Sequence, residues 1–506
     1  MNSNIMRERK KAISILQIIL VGISVLLMLA GIRNQSLNVF FLSVFCLFIV
    51  NVLFVLKQWR QEFLLGFFFV TFFTFLLARP LIGMCKGNEW WNTASQAKKN
   101  IWFALVLLLI SMIGFLIGNL INGYCKRKEY IGKWMNLNSL EKNYPYVQFL
   151  QQVSLCIFLL TICFYLVEQL EPFFAIGMGD YLQYYTDFHS KLPGVFHTLA
   201  SFYKYSLCIF LATLPNKKKA FIPLALFEIS AIPSFLVGVR NPIMLNSLFI
   251  LIYYLLRDSI RTETEKKWFG KVECALVILV TPVALIFMVF YSYIRDGKAA
   301  SIGNPLNVLI DFFEGQGVTF DAITIAYGYR EGFFAIEPKN YTFGNIIDYI
   351  YRGNIGQKIF GTCAIPEGNN EIAGTLSNNF SHIFSYMSMK DAYLSGRGRG
   401  SSYIIEVFYD YGYIGVLIFN IILCIILIAM VHWFGKKVLV STIILLSLTS
   451  IFFIPRAEAT GWFTFIVTLQ FWLCLGVCYL GALLCVKCSW IQKIMRILHL
   501  YPKSID

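Results

Sequence analysis

The 506-residue sequence has little charge: Asp, Glu, Lys and Arg make up 14% of it, against about 25% in an average soluble domain. So few solvated side chains cannot coat a globule in water, which excludes an ordinary soluble enzyme. Acidic residues are scarcer than basic ones, 28 against 43. The basic excess is not gathered into a patch on a soluble fold, so nucleic acid is not an expected partner. Most of the 13 cysteines, including Cys156, Cys163, Cys208, Cys424, Cys474, Cys478 and Cys485, stand inside apolar runs as small apolar fillers. Cys85 and Cys363 fall in loops, and the Cys485–Cys488 pair lacks partner ligands. These absences predict no bound metal and no cofactor. Low-complexity tracts and internal repeats are also missing. A cleavable signal peptide is not expected, because the first apolar run ends in Arg33-Asn34-Gln35 rather than at a small-residue cleavage site.

What the chain does have is 58% hydrophobic residues and a mean hydropathy of +0.65. The apolar residues come in runs long enough to cross a bilayer, about 20 residues each. Spans are expected near 13–32, 37–56, 63–82, 101–124, 147–168, 195–214, 220–239, 242–256, 272–294, 412–434, 438–455 and 461–486. Lipid offers no partner to backbone N–H and C=O groups, so each must be helical. The run 242–256 is short for a span. Lys and Arg concentrate in the segments that share a side with the N-terminus, which places both termini in the cytoplasm and accounts for the net charge of +15. The expected fold is an all-α integral membrane protein of about 12 transmembrane helices, with Glu228 as the one charge at a span centre. It divides into a bundle over 1–294, an extracytoplasmic loop over 295–411, a second bundle over 412–486 and a cytoplasmic tail over 487–506.

Residues 295–411 contain no run able to span, and they are too aromatic for a disordered segment. They predict a cap of short amphipathic helices, for example 306–314, 319–329 and 345–352. Three motifs stand out. Leu236-Val237-Gly238-Val239-Arg240-Asn241-Pro242 puts a guanidinium at a span end, suited to phosphate oxygens or to lipid headgroups. Glu314-Gly315-Gln316-Gly317-Val318-Thr319-Phe320-Asp321 allows tight turns, with Thr319 able to cap a helix, but lacks the lysine of a phosphate loop. Gly396-Arg397-Gly398-Arg399-Gly400-Ser401-Ser402 exposes amides beside cations and runs into Glu406 and Asp410, four residues apart on one helical face. A partly desolvated Glu406 suits a general base; pairing with Arg397 or Arg399 is its structural alternative. Arg240, Arg295, Arg397, Arg399 and Arg456 would ring one end of the bundle as an anion site. Tyr327, Tyr329, Tyr341, Tyr349 and Tyr351 suit either sugar stacking or the cap's own core.

The Val-Gly-Val-Arg turn, the Glu-Gly-Gln-Gly-Val-Thr-Phe segment and the run from Gly398 to Gly415 resemble the Wzy oligosaccharide repeat-unit polymerases of O-antigen and capsule synthesis. The commoner Gly-Ser-Arg-Gly form of the first motif is here Gly-Val-Arg-Asn. The resemblance implies a membrane glycosyltransferase of the type shared with O-antigen ligases. It implies a substrate on undecaprenyl diphosphate, no bound metal, work at the outer face of the inner or plasma membrane, and a chain-length regulator as protein partner. By position, Arg240 would hold the donor diphosphate with help from Arg295 and Arg456, and Arg397 and Arg399 would add to the anion site. Glu406 would be the base, and His382 the second choice. A polysaccharide ligase shares this donor chemistry. A lipid-linked oligosaccharide flippase would not need so large a loop, and would show polar residues at span centres.

Overall fold

The computed structural model describes residues 2–87, 90, 97–127, 145–177, 181–186, 188–262, 266–295, 304–497 and 501. It is 82% helical, and no strand occurs among the described residues. Among the described residues, eleven helices are long and apolar enough to cross a membrane. They are Glu8–Arg33, Leu37–Lys57, Trp59–Cys85, Lys98–Tyr124, Pro145–Ile176, Gly194–Ala212, Lys217–Val237, Lys271–Tyr291, Tyr403–Trp433, Val438–Arg456 and Leu469–Lys487. The short run 242–256 is also helical, as Asn241–Ser259, but Asn246, Ser247 and its polar ends keep it out of that set. The protein is therefore an all-α multi-pass membrane protein.

Small and polar residues join the spans where apolar ones gain little from meeting each other in lipid. Gly114 and Gly118 let Lys98–Arg127 approach Tyr403–Trp433 closely: a Cβ on Gly114 would lie 2.8 Å from the Asn420 Cβ, and one on Gly118 2.7 Å from the Cys424 Cβ. Asn420 then accepts from the Tyr403 hydroxyl at 2.5 Å and donates to the Val416 carbonyl at 2.8 Å. Asn51 ties Leu37–Lys57 to the same group by donating to the Met112 carbonyl at 3.0 Å. Glu228 is not the only charge deep in a span, since Lys204 lies near the middle of Gly194–Ala212.

The segment after residue 304 folds as a cap of short helices, Pro305–Gln316, Val318–Gly328, Arg330–Ala335, Gly344–Arg352, Asn354–Phe360, Glu371–Leu376 and Phe380–Leu394. Its interior is aromatic: Phe333 stacks on Phe380 at 5.0 Å, Tyr341 meets Phe380 edge-on at 5.2 Å, and Tyr409 lies 4.6 Å from Phe333. Tyr341 is thus core, and Tyr327 stacks on Phe103 of the bundle at 3.7 Å. Tyr409 comes from the last spanning segment before Val438. Helix Tyr403–Trp433 begins inside the cap and kinks at Gly412, whose φ of 64° and ψ of −162° suit a residue without a Cβ. The kink leaves Glu406 and Asp410 on a short arm above the membrane-spanning part.

Candidate functional site

Three stretches far apart in sequence meet at the cap end of the bundle. The first is the C-terminal part of Trp59–Cys85, where an i→i+5 segment, Phe73–Leu77, precedes Arg79 and Pro80. Such segments break the regular ladder and often mark functional sites. The second is the Glu314–Asp321 motif, which docks on that helix end. Lys86 binds Glu314 at 2.6 Å and Arg79 binds Asp321 at 2.9 Å. Gly317 presses so closely that a Cβ there would lie 2.4 Å from the Arg79 Cβ. Close approach, not turn geometry, is what this glycine supplies. Gly317 is also the N-cap of Val318–Gly328, so Thr319 lies buried inside the helix and does not cap it.

The third stretch follows Val438–Arg456. Pro455 cannot donate to a helical ladder, and the chain tightens to a 3₁₀ turn over Ile451–Arg456 before leaving the helix. Arg456 donates to the Gln316 side-chain oxygen at 2.7 Å and lies 5.7 Å over the Phe75 ring. Two residues on, Glu458 accepts from Asn345 and, at 2.6 Å, from Asn379. The next amide, of Ala459, donates to Glu406 at 2.8 Å, and the Thr460 hydroxyl donates to the Thr342 carbonyl at 2.6 Å. Asp410 takes the Tyr341 and Thr342 amides at 3.1 and 2.6 Å. Residues 456–460 are thereby clamped between the kinked arm, the 340–343 loop with the start of Gly344–Arg352, and the start of Phe380–Leu394.

Two carboxylates face each other across this clamp, within electrostatic range. Glu406 is fully buried, and its other oxygen accepts from Ser401 at 2.5 Å. Among the described residues it makes no ion pair with Arg397 or Arg399. Glu458 is only partly buried. Burial raises its pKa above the ordinary carboxylate value, and the bonds from Asn379 and Asn345 work in the opposite direction. Of the pair, Glu458 is the less buried residue.

The remaining residues proposed from the sequence are dispersed. His382 lies one turn along Phe380–Leu394 from Asn379 and shares a 2.7 Å hydrogen bond with the Tyr393 hydroxyl. Burial lowers the His382 pKa, and burial pushes the Tyr393 hydroxyl up to about 12. Arg399 donates from its amide to Ser385 at 3.0 Å and from Nε to Ser388 at 2.9 Å, while the Arg397 amide closes a turn onto the Ala392 carbonyl. The first of these amides is spent on a helix side chain and the second on the end of helix Phe380–Leu394, so they are not an open anion cradle. Arg240 sits between Lys217–Val237 and Asn241–Ser259 and donates to the Met288 carbonyl at 3.4 Å. The Arg295 side chain lies outside the described residues.

Sequence reasoning missed Arg79, Gln316, Asn345 and Asn379, and gave Glu458 no role beyond adjacency to Arg456. Arg79 and Glu458 carried a signal: each is a charge in an otherwise apolar stretch, next to or near a proline. Among the described residues no group of three or more His, Cys, Asp or Glu is placed to hold a metal ion.

Similarity searches of curated proteins and of solved structures return no match. The family of O-antigen polysaccharide polymerase Wzy, multi-pass inner-membrane proteins acting on lipid-linked oligosaccharides, matches residues 13–489. That range takes in both spanning bundles, the cap and the clamp at 456–460, and the chain belongs to the Wzy O-antigen polysaccharide polymerase family.

Proposed function

We propose that the chain joins oligosaccharide repeat units carried on undecaprenyl diphosphate into a surface polysaccharide, O-antigen or capsule, at the outer face of the cytoplasmic membrane. In this reading both termini lie in the cytoplasm and the cap faces outward. The observation that carries the chemistry is the juxtaposition of Arg456, held by Gln316, with Glu458, held by Asn345 and Asn379. Glu458 takes the proton of the acceptor sugar hydroxyl. That oxygen bonds to the anomeric carbon of the donor chain, the bond from this carbon to the diphosphate breaks, and undecaprenyl diphosphate leaves with the electron pair. Arg456, with Arg79 beside the same motif, stabilises the charge that develops on the leaving group, which needs no metal. Arg240, at the turn between Lys217–Val237 and Asn241–Ser259, is a further guanidinium available to a lipid diphosphate.

Glu406 acts through Glu458. It anchors the Ala459 amide and sets the local charge, so it is a positioning residue rather than the base. His382 supports the helix that presents Asn379. The test is polysaccharide length in cells carrying Glu458→Gln or Arg456→Lys, each confirmed present in the membrane. Single repeat units on their anchor are expected, with a rate loss of about 10²–10⁴ for the lost base and about 10²–10³ for the lost bidentate fork. Wild-type chain lengths from either variant would remove that residue from the mechanism.

A further inference from the structure

Helices Gly344–Arg352 and Asn354–Phe360 form a hairpin whose outward face is apolar. Ile350, Tyr351, Ile355, Ile359 and Phe360 are 44, 46, 61, 68 and 50% exposed. Tyr351 and Phe360 lie 4.6 Å apart, which makes the two helices one surface. A stretch of this kind facing water is unusual unless something covers it. The charges on the two helices are Asp348, Arg352 and Lys358; Arg352 pairs with Asp348 at 3.8 Å, which leaves Lys358 as the exposed cation.

The height of the hairpin is fixed by its neighbour. The Tyr349 hydroxyl accepts from the Leu469 amide at 3.0 Å and donates to Gln470 at 3.2 Å. Leu469 is the first residue of the spanning helix Leu469–Lys487. The exposed faces of Leu469, Trp472 and Leu473, at 51, 47 and 47%, adjoin this contact. An element pinned at the first turn of a span lies at the level of the headgroups, and tryptophan and tyrosine gather at that level.

We propose that this hairpin is an interfacial anchor, its apolar face dipped into the leaflet where Leu469–Lys487 begins and Lys358 reaching up to lipid phosphates. The occupant of the face is the bilayer itself. Amphipathic helices in this position sink roughly 5–10 Å below the headgroups. Asn345 on the first of the two helices donates to Glu458, so the depth of the hairpin sets the height of that carboxylate over the acyl chains. The inference concerns membrane contact and stands whether or not Glu458 is the base.

The test uses full-length protein in proteoliposomes of phosphatidylethanolamine and phosphatidylglycerol, with an environment-sensitive fluorescent amino acid placed at position 359 or, as a control, at 367. At 359 we expect blue-shifted emission, strong quenching by phospholipids brominated on the acyl chain, and protection from aqueous iodide; at 367 the reverse. Adding Ile355→Asp should move the 359 probe toward iodide and away from bromolipid. If iodide quenches both positions alike, the face is in water. If 359 is shielded from iodide yet untouched by bromolipid, a protein covers it. Either outcome overturns the anchor.

Discussion

The bond from Asn379 to Glu458 offers a perturbation whose direction follows from the structure. A general base works only when ionised. Burial raises the Glu458 pKa, so activity should fall as pH drops through that raised value, not through the ordinary carboxylate range. Asn379 opposes the shift by donating at 2.6 Å to the carboxylate, a bond that favours the charged form. Asn379→Ala removes it, so the pKa rises further and the acidic limb of the rate profile moves to higher pH. A hydrogen bond to a charged group contributes about 1.5–3 kcal/mol, and one pKa unit corresponds to about 1.36 kcal/mol. The expected displacement is therefore about 1–2 units, nearer the lower figure because Glu458 is partly solvated and keeps its bond from Asn345. The assay is the initial rate of undecaprenyl diphosphate release by purified protein, measured from acid to neutral pH, with the plateau rate at high pH as the internal control. An unmoved midpoint, or one displaced to lower pH, would refute the assignment of Glu458 as the ionising group.

Other consequences can be checked alongside. Glu406→Gln retains an acceptor for the Ala459 amide, so it should keep measurable polymerisation where Glu458→Gln loses it on the same gel. Gly317→Ala places a methyl group against the Arg79 backbone; overpacking of this kind costs about 1–3 kcal/mol, which thermal unfolding in detergent should show as a lowered midpoint together with reduced activity. Polymerisation by purified protein should persist in excess EDTA, and a loss that Mg²⁺ or Mn²⁺ restores would assign the carboxylates a metal instead.

How much of this could be read from residue order depends on the range of the interaction. The spans were legible because lipid imposes a length and a composition on each one separately. The cap helices were legible because amphipathic periodicity is also local: the expected 306–314, 319–329 and 345–352 lie within the observed Pro305–Gln316, Val318–Gly328 and Gly344–Arg352, apart from the last residue of the second. The run 242–256, expected as a short span, is helical as Asn241–Ser259, but its polar residues keep it out of the helices apolar enough to cross. The site was less legible because it is made by contacts across long separations. Arg456 meets Gln316 across 140 positions and Glu458 meets Asn345 across 113, and nothing in either neighbourhood specifies the other. The arginines at 397 and 399 stood out by local pattern, yet the pattern belongs to a helix end, where Gly396 and Gly400 take positive φ values of 87° and 74°. Glu406 was noticed for its place on a helix. Its burial depends on Ser401 and on Ala459, 53 residues away.

One half-buried carboxylate in the 456–460 clamp, Glu458, is proposed to drive glycosyl transfer from a lipid diphosphate. The most direct test is purified full-length protein in proteoliposomes, supplied with undecaprenyl-diphosphate-linked repeat units, comparing wild type with Glu458→Gln. Wild type is expected to produce a ladder of chain lengths with release of undecaprenyl diphosphate, while Glu458→Gln binds the substrate comparably and yields neither product. A ladder of wild-type lengths and rates from Glu458→Gln would contradict it.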